Sequence, residues 1–419
     1  MSDLLQRVTE IARTAKKASR ALALAPTAVR DAALRAAAQA LRADEAAILE
    51  ANAKDLAAAK AKGLTDAMTD RLRLDHARLE DIAVACEAVA KLPDPVGEVT
   101  EDWTRPNGLR IIRRRVPIGL VAIIFESRPN VTVDAAALCL KSGNGCVLRG
   151  GSEAIHTNIA LSKSFATGLR AAGLPAEAVT LLPFTDREAV PALGSLRGIV
   201  DIIVPRGGPG LIEAVVNSAK VPVIKHDAGI CHVYVHAQAD LAMAEQIVLN
   251  AKCQRPSACN ALETLLVDAA VAQKFLPKVA AALSAKQTEV RACAQSLPLM
   301  PGAKPATEQD FRTEHLGLIL NVKIVAGLAE AVAHVEDYGS HHSDAIITAD
   351  ESAARAFLAQ IDSACVYWNA STRFTDGGEF GFGAEVGIST DRLHARGPMG
   401  IRELTTWKFE IVGQGQVRG

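Results

Sequence analysis

Residues 250–267, NAKCQRPSACNALETLLV, decide how the rest of the chain is read. Upstream, Asp240 to Lys252 (DLAMAEQIVLNAK) sets small and aliphatic residues at helical spacing. Downstream, the apolar run Ala261 to Val267 has the length and composition of a buried strand. The polar link between them, Gln254-Arg255-Pro256-Ser257-Ala258, presents Cys259. Pro256 disfavours helical geometry at Arg255, so the helix is predicted to stop there. A thiol held where a helix hands over to a strand, beside a fixed cation, suits a low-pKa nucleophile. The competing reading is a small core residue, which most unpaired cysteines are. The Gln-Arg-Pro-Ser lead-in weighs against it.

Working outward, strands and helices alternate on both sides of this stretch. From Gly119, LVAIIF (120–125) leads to ESRPN and a helix, VTVDAAALCLKSG; CVLRGG (146–151) leads to a second helix, SEAIHTNIALSKSFATGLRAAG. AVTLLPF, IVDIIVP with its RGGPG turn, and the short strand VPVIKH (221–226) follow. This alternation marks a parallel sheet in an α/β doubly wound, dinucleotide-binding domain. A second α/β unit, carrying Cys259, starts near Ala228 and closes with ACVYWNAS (364–371), where the chain is expected to return to the first domain. The predicted organisation is therefore 1–97 helical, 98–118 a β-hairpin, 119–227 dinucleotide-binding, 228–363 catalytic, 364–400 a return with a Gly-rich loop, and 401–419 a C-terminal strand. The Ala-rich helices of the first part need something to pack on, and are expected to cover the sheet. In the hairpin, Arg113-Arg114-Arg115 beside an Ile-Ile pair reads as an edge strand or subunit contact, against a nucleic-acid reading.

Composition fits this picture. At 419 residues, with 49% hydrophobic and 22% charged, the chain has the balance of a multidomain globular protein. A net charge of −1 gives no bulk attraction to nucleic acid or anionic membrane, so an anionic ligand has to be met by local arginines. The eight cysteines show no CxxC pair and no metal-ligand spacing, which argues for reduced thiols, a cytoplasmic setting and no metal. No apolar run approaches the roughly 18 residues of a membrane span. The basic, amphipathic start MSDLLQRVTEIARTAKKASRAL carries Asp3 and Glu10, which count against a transit peptide. Adjacent His341 and His342 are expected to point opposite ways on a strand, which suits no shared metal.

Two glycine features are candidates for the cofactor. Arg149-Gly150-Gly151-Ser152 closes a strand and opens a helix without the GxGxxG order. Free N–H groups and the helix dipole would favour an anion at Ser152, and Arg149 suits the 2′-phosphate of NADP. The alternative is a solvent-capped turn. The second feature, Arg206-Gly207-Gly208-Pro209-Gly210, lets the backbone approach a pyrophosphate or nicotinamide closely.

The segment AKCQRPSACNALETLLV, together with IFESRPNVTVDAAALCLKSGN, VPRGGPGLI, NASTRFTDGGEFGFGAEVGIST and LHARGPMGIRELTTWK, resembles the glutamyl phosphate reductase branch of the aldehyde dehydrogenase superfamily. The resemblance runs from about Leu4 to the C-terminus. It implies an aldehyde dehydrogenase-like fold with a small β oligomerisation element, a homo-oligomer (dimer or tetramer), and NADPH-dependent reduction of L-glutamyl 5-phosphate in proline biosynthesis. The upstream glutamate kinase is an implied partner. It makes Cys259 the nucleophile and places an oxyanion-hole amide near Asn130, a residue that reads equally well as a helix cap. It assigns Glu314 to the nicotinamide ribose. It brings the loops of Arg255, Arg128 and Arg373 to Cys259, without saying which arginine takes carboxylate and which phosphate. Where hydrolytic members carry a water-activating glutamate, this sequence has His226, followed by Asp227. The alternatives are a hydrolytic or CoA-acylating aldehyde dehydrogenase, or a non-catalytic thiol sensor on the same scaffold.

Overall fold

The computed structural model describes residues 3–225 and 228–418. The chain forms two compact units: Met1–Lys225 with Gly381–Gly387 and Met399–Gly419, and His226–Phe380 with Ile388–Pro398.

The first unit is built on a parallel four-stranded sheet. Strand Leu120–Phe125 lies inside it, with Gly145–Arg149 and then Val179–Leu181 on one side and Ile202–Arg206 on the other. The order reverses beside Leu120–Phe125, so its carboxyl end and that of Ile202–Arg206 border the crevice where α/β sheets take ligands. Leu120, Ala122 and Ile124 bury one face against Val8, Ala12 and Ala15 of helix Asp3–Leu24. Full burial of a Leu or Ile side chain contributes about 1.5–3 kcal/mol, so this face anchors the N-terminal helix. The next helix, Thr27–Ala43, packs instead on helix Ile155–Ala171. A Cβ on Gly168 would stand 2.3 Å from the Ala37 nitrogen, so the two backbones touch only because position 168 is glycine. The N-terminal helices thus form a second layer as well as covering the sheet.

Two strand expectations change. Among the described residues of VPVIKH there is only a bridge between Ile203 and Val223, since Pro222 has no N–H to extend a ladder. Arg110–Pro117 is the central strand of an antiparallel three-stranded sheet, paired with Val99–Thr104 and Thr405–Val412. Its arginines are accommodated by neighbours: Arg114 binds Glu410 (2.9 Å), Arg115 faces Glu98, and Arg113 lies 3.9 Å over the Trp407 ring. Trp407, Phe409 and Ile411 of the outer strand are exposed.

The second unit holds a parallel seven-stranded sheet, ordered Lys304–Pro305, Glu289–Ala292, Ile319–Val325, Leu262–Asp268, Cys231–Val235, Ser343–Ile347, Cys365–Trp368. Val233, Val235, Leu265 and Val267 pack with Phe275, Leu276 and Val279 on one face; Tyr234, Leu266 and Ile346 pack with Phe357 on the other. Burial on both faces is why the run after Cys259 is continuously apolar. Cys365–Trp368 corrects the expected return at 364, because it pairs in parallel with Ser343–Ile347 inside this sheet. An apolar edge strand carries no mark of which sheet it joins. His341 and His342 also precede the strand: His341 has φ +58°, and the buried His342 Nδ1 lies 2.9 Å from the Ser343 hydroxyl.

Candidate active site

Helix Leu241–Cys253 starts where the Asp240 carboxylate accepts the Ala242 and Met243 N–H groups, and ends one residue before Gln254. Beyond it the loop carries exposed Arg255 and half-buried Cys259 into strand Leu262–Asp268. Cys253 stays on the helix side, its thiol 3.5 Å from the Thr288 hydroxyl. Cys259 is fixed mainly through its backbone. The Cys231 thiol donates to its carbonyl (3.3 Å), and Gly229 runs so close that a Cβ there would sit 1.9 Å from the same oxygen. The neighbouring Asn260 staples the loop at 371–376: its amide donates to the Thr375 carbonyl (2.8 Å) and the Arg373 carbonyl (3.3 Å), while the Thr372 hydroxyl donates to its own carbonyl (2.7 Å). Arg373 Nε donates to Gln254 (2.8 Å). Burial, then the charge of Arg255, push the Arg373 guanidinium below its ordinary pKa, while the Cys259 side chain pulls it back up. The structure therefore gathers Cys259, Arg255 and Arg373 in one neighbourhood.

Behind the loop lies a fully buried ion pair, Lys252 Nζ to Glu263 Oε2 at 2.9 Å. Burial pushes the Lys252 ammonium down and the Glu263 carboxyl up to about 7. Glu263 also accepts the Leu316 N–H (3.3 Å), holding a turn in which Leu316 adopts φ +53°. Glu314, in the same turn, is raised by burial and partly restored by the Gly229 N–H it accepts. Gly229 thus lies against the Cys259 carbonyl and gives its N–H to the Glu314 carboxylate.

In the first unit the two glycine features differ. The helix after Ser152 starts only at Ile155, behind a short 3-10 turn, and its leading N–H groups at His156 and Thr157 are taken by the buried Asp55 carboxylate. The expected anion site at Ser152 is therefore satisfied internally, by a residue about a hundred positions upstream. Gly150 is required for packing, since a Cβ would lie 2.1 Å from the Asn158 amide. Arg149 is buried and donates to the Thr185 carbonyl (2.8 Å); its Nε has no partner among the described residues. Burial lowers its pKa, and the nearby Arg187 lowers it further. The second feature is built differently. Gly208 caps helix Pro209–Ser218 at the sheet's switch point, and its N–H donates to Glu126 Oε2 (3.0 Å). Any Cβ on Gly207 would stand 2.4 Å from that oxygen. An anion of cofactor type fits this helix end, where a carboxylate already sits. Asn130 caps nothing with its side chain; its amide donates to the half-buried Asp134 (2.8 Å), whose carboxyl is raised to about 6 by desolvation. Arg128 is exposed on the same loop. His226 and Asp227 lie outside the described residues.

Comparison with known proteins identifies the family. The aldehyde dehydrogenase family profile matches residues 5–294. The chain belongs to the aldehyde dehydrogenase family. It is 54% identical to a gamma-glutamyl phosphate reductase of Moorella thermoacetica over 96% of this chain and 97% of that one. It is 54% identical to another of Caulobacter vibrioides, over 97% and 98%. The crystal structure of gamma-glutamyl phosphate reductase from Thermotoga maritima superposes with a TM-score of 0.96 at 45% identity, covering 100% of both chains. Like other members of its family, the chain is an oxidoreductase using a nicotinamide dinucleotide on a small-molecule substrate.

Several residues that build the site are absent from the sequence reading. Gly229, Asn260 and Thr372 act through backbone contacts to distant segments, and Asp55 and Glu126 act as helix-end partners from other elements. Their local sequence carries no such signal. Lys252 and Glu263 had one, since a lysine in an aliphatic helix pattern and a glutamate in an apolar strand both imply a buried partner.

Proposed function

We propose that this chain reduces L-glutamyl 5-phosphate to L-glutamate 5-semialdehyde and phosphate with NADPH, a step of proline biosynthesis in the cytoplasm. The observation that carries this reading is the full-length similarity to gamma-glutamyl phosphate reductases combined with a half-buried Cys259 beside Arg255 and Arg373. The Cys259 thiolate attacks the acyl carbon, the carbon–oxygen bond to phosphate breaks, and inorganic phosphate leaves. The cofactor, when bound, supplies the hydride that reduces the thioester. The resulting thiohemiacetal collapses, releasing the aldehyde and restoring the thiol. Arg255 and Arg373 offset the negative charge of the departing phosphate and the substrate carboxylate. Gly207 and Gly208 would hold the cofactor pyrophosphate at the N-terminus of helix Pro209–Ser218, where the Gly208 N–H meets Glu126, while Gly150 and Ser152 shape the neighbouring strand end. Glu314 holds the nicotinamide ribose, and Asn130 and Arg128 belong to the loop facing the crevice. The exposed Trp407, Phe409 and Ile411 strand forms the contact of a homo-oligomer, dimer or tetramer. The upstream glutamate kinase is the natural partner, since it makes the acyl phosphate.

The test runs the reaction backwards. Glutamate 5-semialdehyde, phosphate and NADP should give NADPH and an acyl phosphate. Activity only with coenzyme A in place of phosphate would make the protein an acylating dehydrogenase instead.

Arg149 is the proposed partner of the 2′-phosphate. Arg149→Ala is expected to weaken NADPH much more than NADH in a fluorescence titration. One charge-assisted bond is worth about 1.5–3 kcal/mol, or about ten- to hundred-fold in affinity. Equal weakening of both cofactors would mean that Arg149 is structural, holding the Thr185 carbonyl, or contacts the shared pyrophosphate.

A further inference from the structure

The loop that Asn260 staples to the nucleophile also forms one wall of a polar cleft. Its lining is Asn250, Gln254, Arg373, Phe374, Asp376 and Glu379, all in the second unit. This set holds a cation, two carboxylates, two amides and one exposed aromatic ring. An apolar aldehyde would find no complement in it, whereas a ligand carrying both signs of charge on adjacent atoms would. Each feature is held in place. Arg373 is anchored through Nε to Gln254, and the Cys259 and Asp376 side chains both act to keep its guanidinium charged. Asp376 caps its own turn by accepting the Gly378 (2.8 Å) and Glu379 (3.3 Å) N–H groups, both on Oδ1. It can therefore hold the loop and still present negative charge to the cleft.

We propose that this cleft recognises the zwitterionic head of an amino-acid substrate: Arg373 pairs with the α-carboxylate, and Asp376, with Glu379 beside it, pairs with the α-ammonium. This rests on the function proposed above and adds to it the groups that select an amino acid over a plain acyl phosphate. In a glutamyl group the α-carbon is a short side chain away from the reacting carbonyl. Its two charges must then be met by residues next to the nucleophile, and the 371–376 loop is bonded to Asn260, the residue following Cys259. Arg255, on the other side of Cys259 in sequence, is left for the phosphate.

Two measurements on the full chain test this, with Asp376→Asn as the variant because the carboxamide keeps an oxygen for the Gly378 and Glu379 N–H groups. In the first, calorimetry compares L-glutamate with glutarate, which differ only in the ammonium. The wild type should prefer glutamate by about ten- to hundred-fold, as expected for a charge-assisted contact, and Asp376→Asn should abolish the preference. In the second, kcat/KM for oxidation with phosphate compares glutamate 5-semialdehyde with 5-oxopentanoate. The variant should lose about ten-fold or more on the first substrate and little on the second. Equal binding of glutamate and glutarate by the wild type, or a variant loss shared equally by both aldehydes, would overturn the assignment. A wild type that binds glutamate selectively but does not oxidise the semialdehyde would leave the subsite standing and overturn the proposed reaction instead.

Discussion

Cys259→Ala is expected to abolish turnover while leaving the fold and cofactor binding intact. Removing a covalent nucleophile costs on the order of 10⁴-fold or more in kcat, because water in its place is neither positioned nor activated. Cys253→Ala is expected to keep most activity. Its thiol faces Thr288 on the helix side of the loop and packs against the core of the second unit. Steady-state assays alongside circular dichroism and NADPH fluorescence read all three properties. Comparable loss of activity in both folded variants would remove Cys259 from the role given to it.

Lys252→Met should have the largest effect on stability. Lys252 and Glu263 are both fully buried and 2.9 Å apart, so taking away the cation strands a carboxylate in the core. Breaking such a pair costs about 3–5 kcal/mol. The pH dependence has a definite sign. Burial already raises Glu263 to about 7, above its ordinary value, and loss of Lys252 raises it further. Below the ordinary carboxylate pKa the side chain is protonated in both the folded and the unfolded states. Above it the unfolded chain ionises freely and the folded one cannot, so the variant's deficit grows as pH rises through the neutral range. Urea midpoints at acid and neutral pH would show this. Lys252→Met with Glu263→Gln should recover much of the loss, because Gln keeps an oxygen for the Leu316 N–H. A deficit unchanged between the two pH values would mean that Lys252 stabilises by packing alone.

Local features of this protein were legible from sequence, and the non-local ones were not. Helix Leu241–Cys253 shows in its apolar spacing, and strand Leu262–Asp268 in a run too short for a helix and too apolar for an exposed strand. The loop between them, with its cysteine, follows from Pro256 alone. The strand Cys365–Trp368 looked as apolar as its neighbours, and only pairing with Ser343–Ile347 assigns it to the second unit. The helix end at Ser152 has a strand, two glycines and a serine, yet Asp55 from the N-terminal layer occupies its N–H groups. An anion site is a vacancy, and a vacancy is decided by what the rest of the chain brings to it. The Gly207–Gly208 turn met the same kind of visitor in Glu126, but there the contact is a single bond to one N–H beside the switch point. Gly229 reads as a plain loop glycine until its closeness to the Cys259 carbonyl is seen.

In the proposed reaction Cys259 carries the acyl group and phosphate, not water, takes it off. The family resemblance implies that hydrolytic relatives use a glutamate to activate water where this sequence has His226. Phosphate dianion needs no such base. The direct measurement is NADPH formation from glutamate 5-semialdehyde and NADP in phosphate-free buffer. A burst of about one NADPH per active site is expected, as acyl-enzyme accumulates, then a stall that phosphate or arsenate relieves. Steady NADPH production without either anion, at a rate near that with phosphate, would contradict it and place the protein with the hydrolytic aldehyde dehydrogenases.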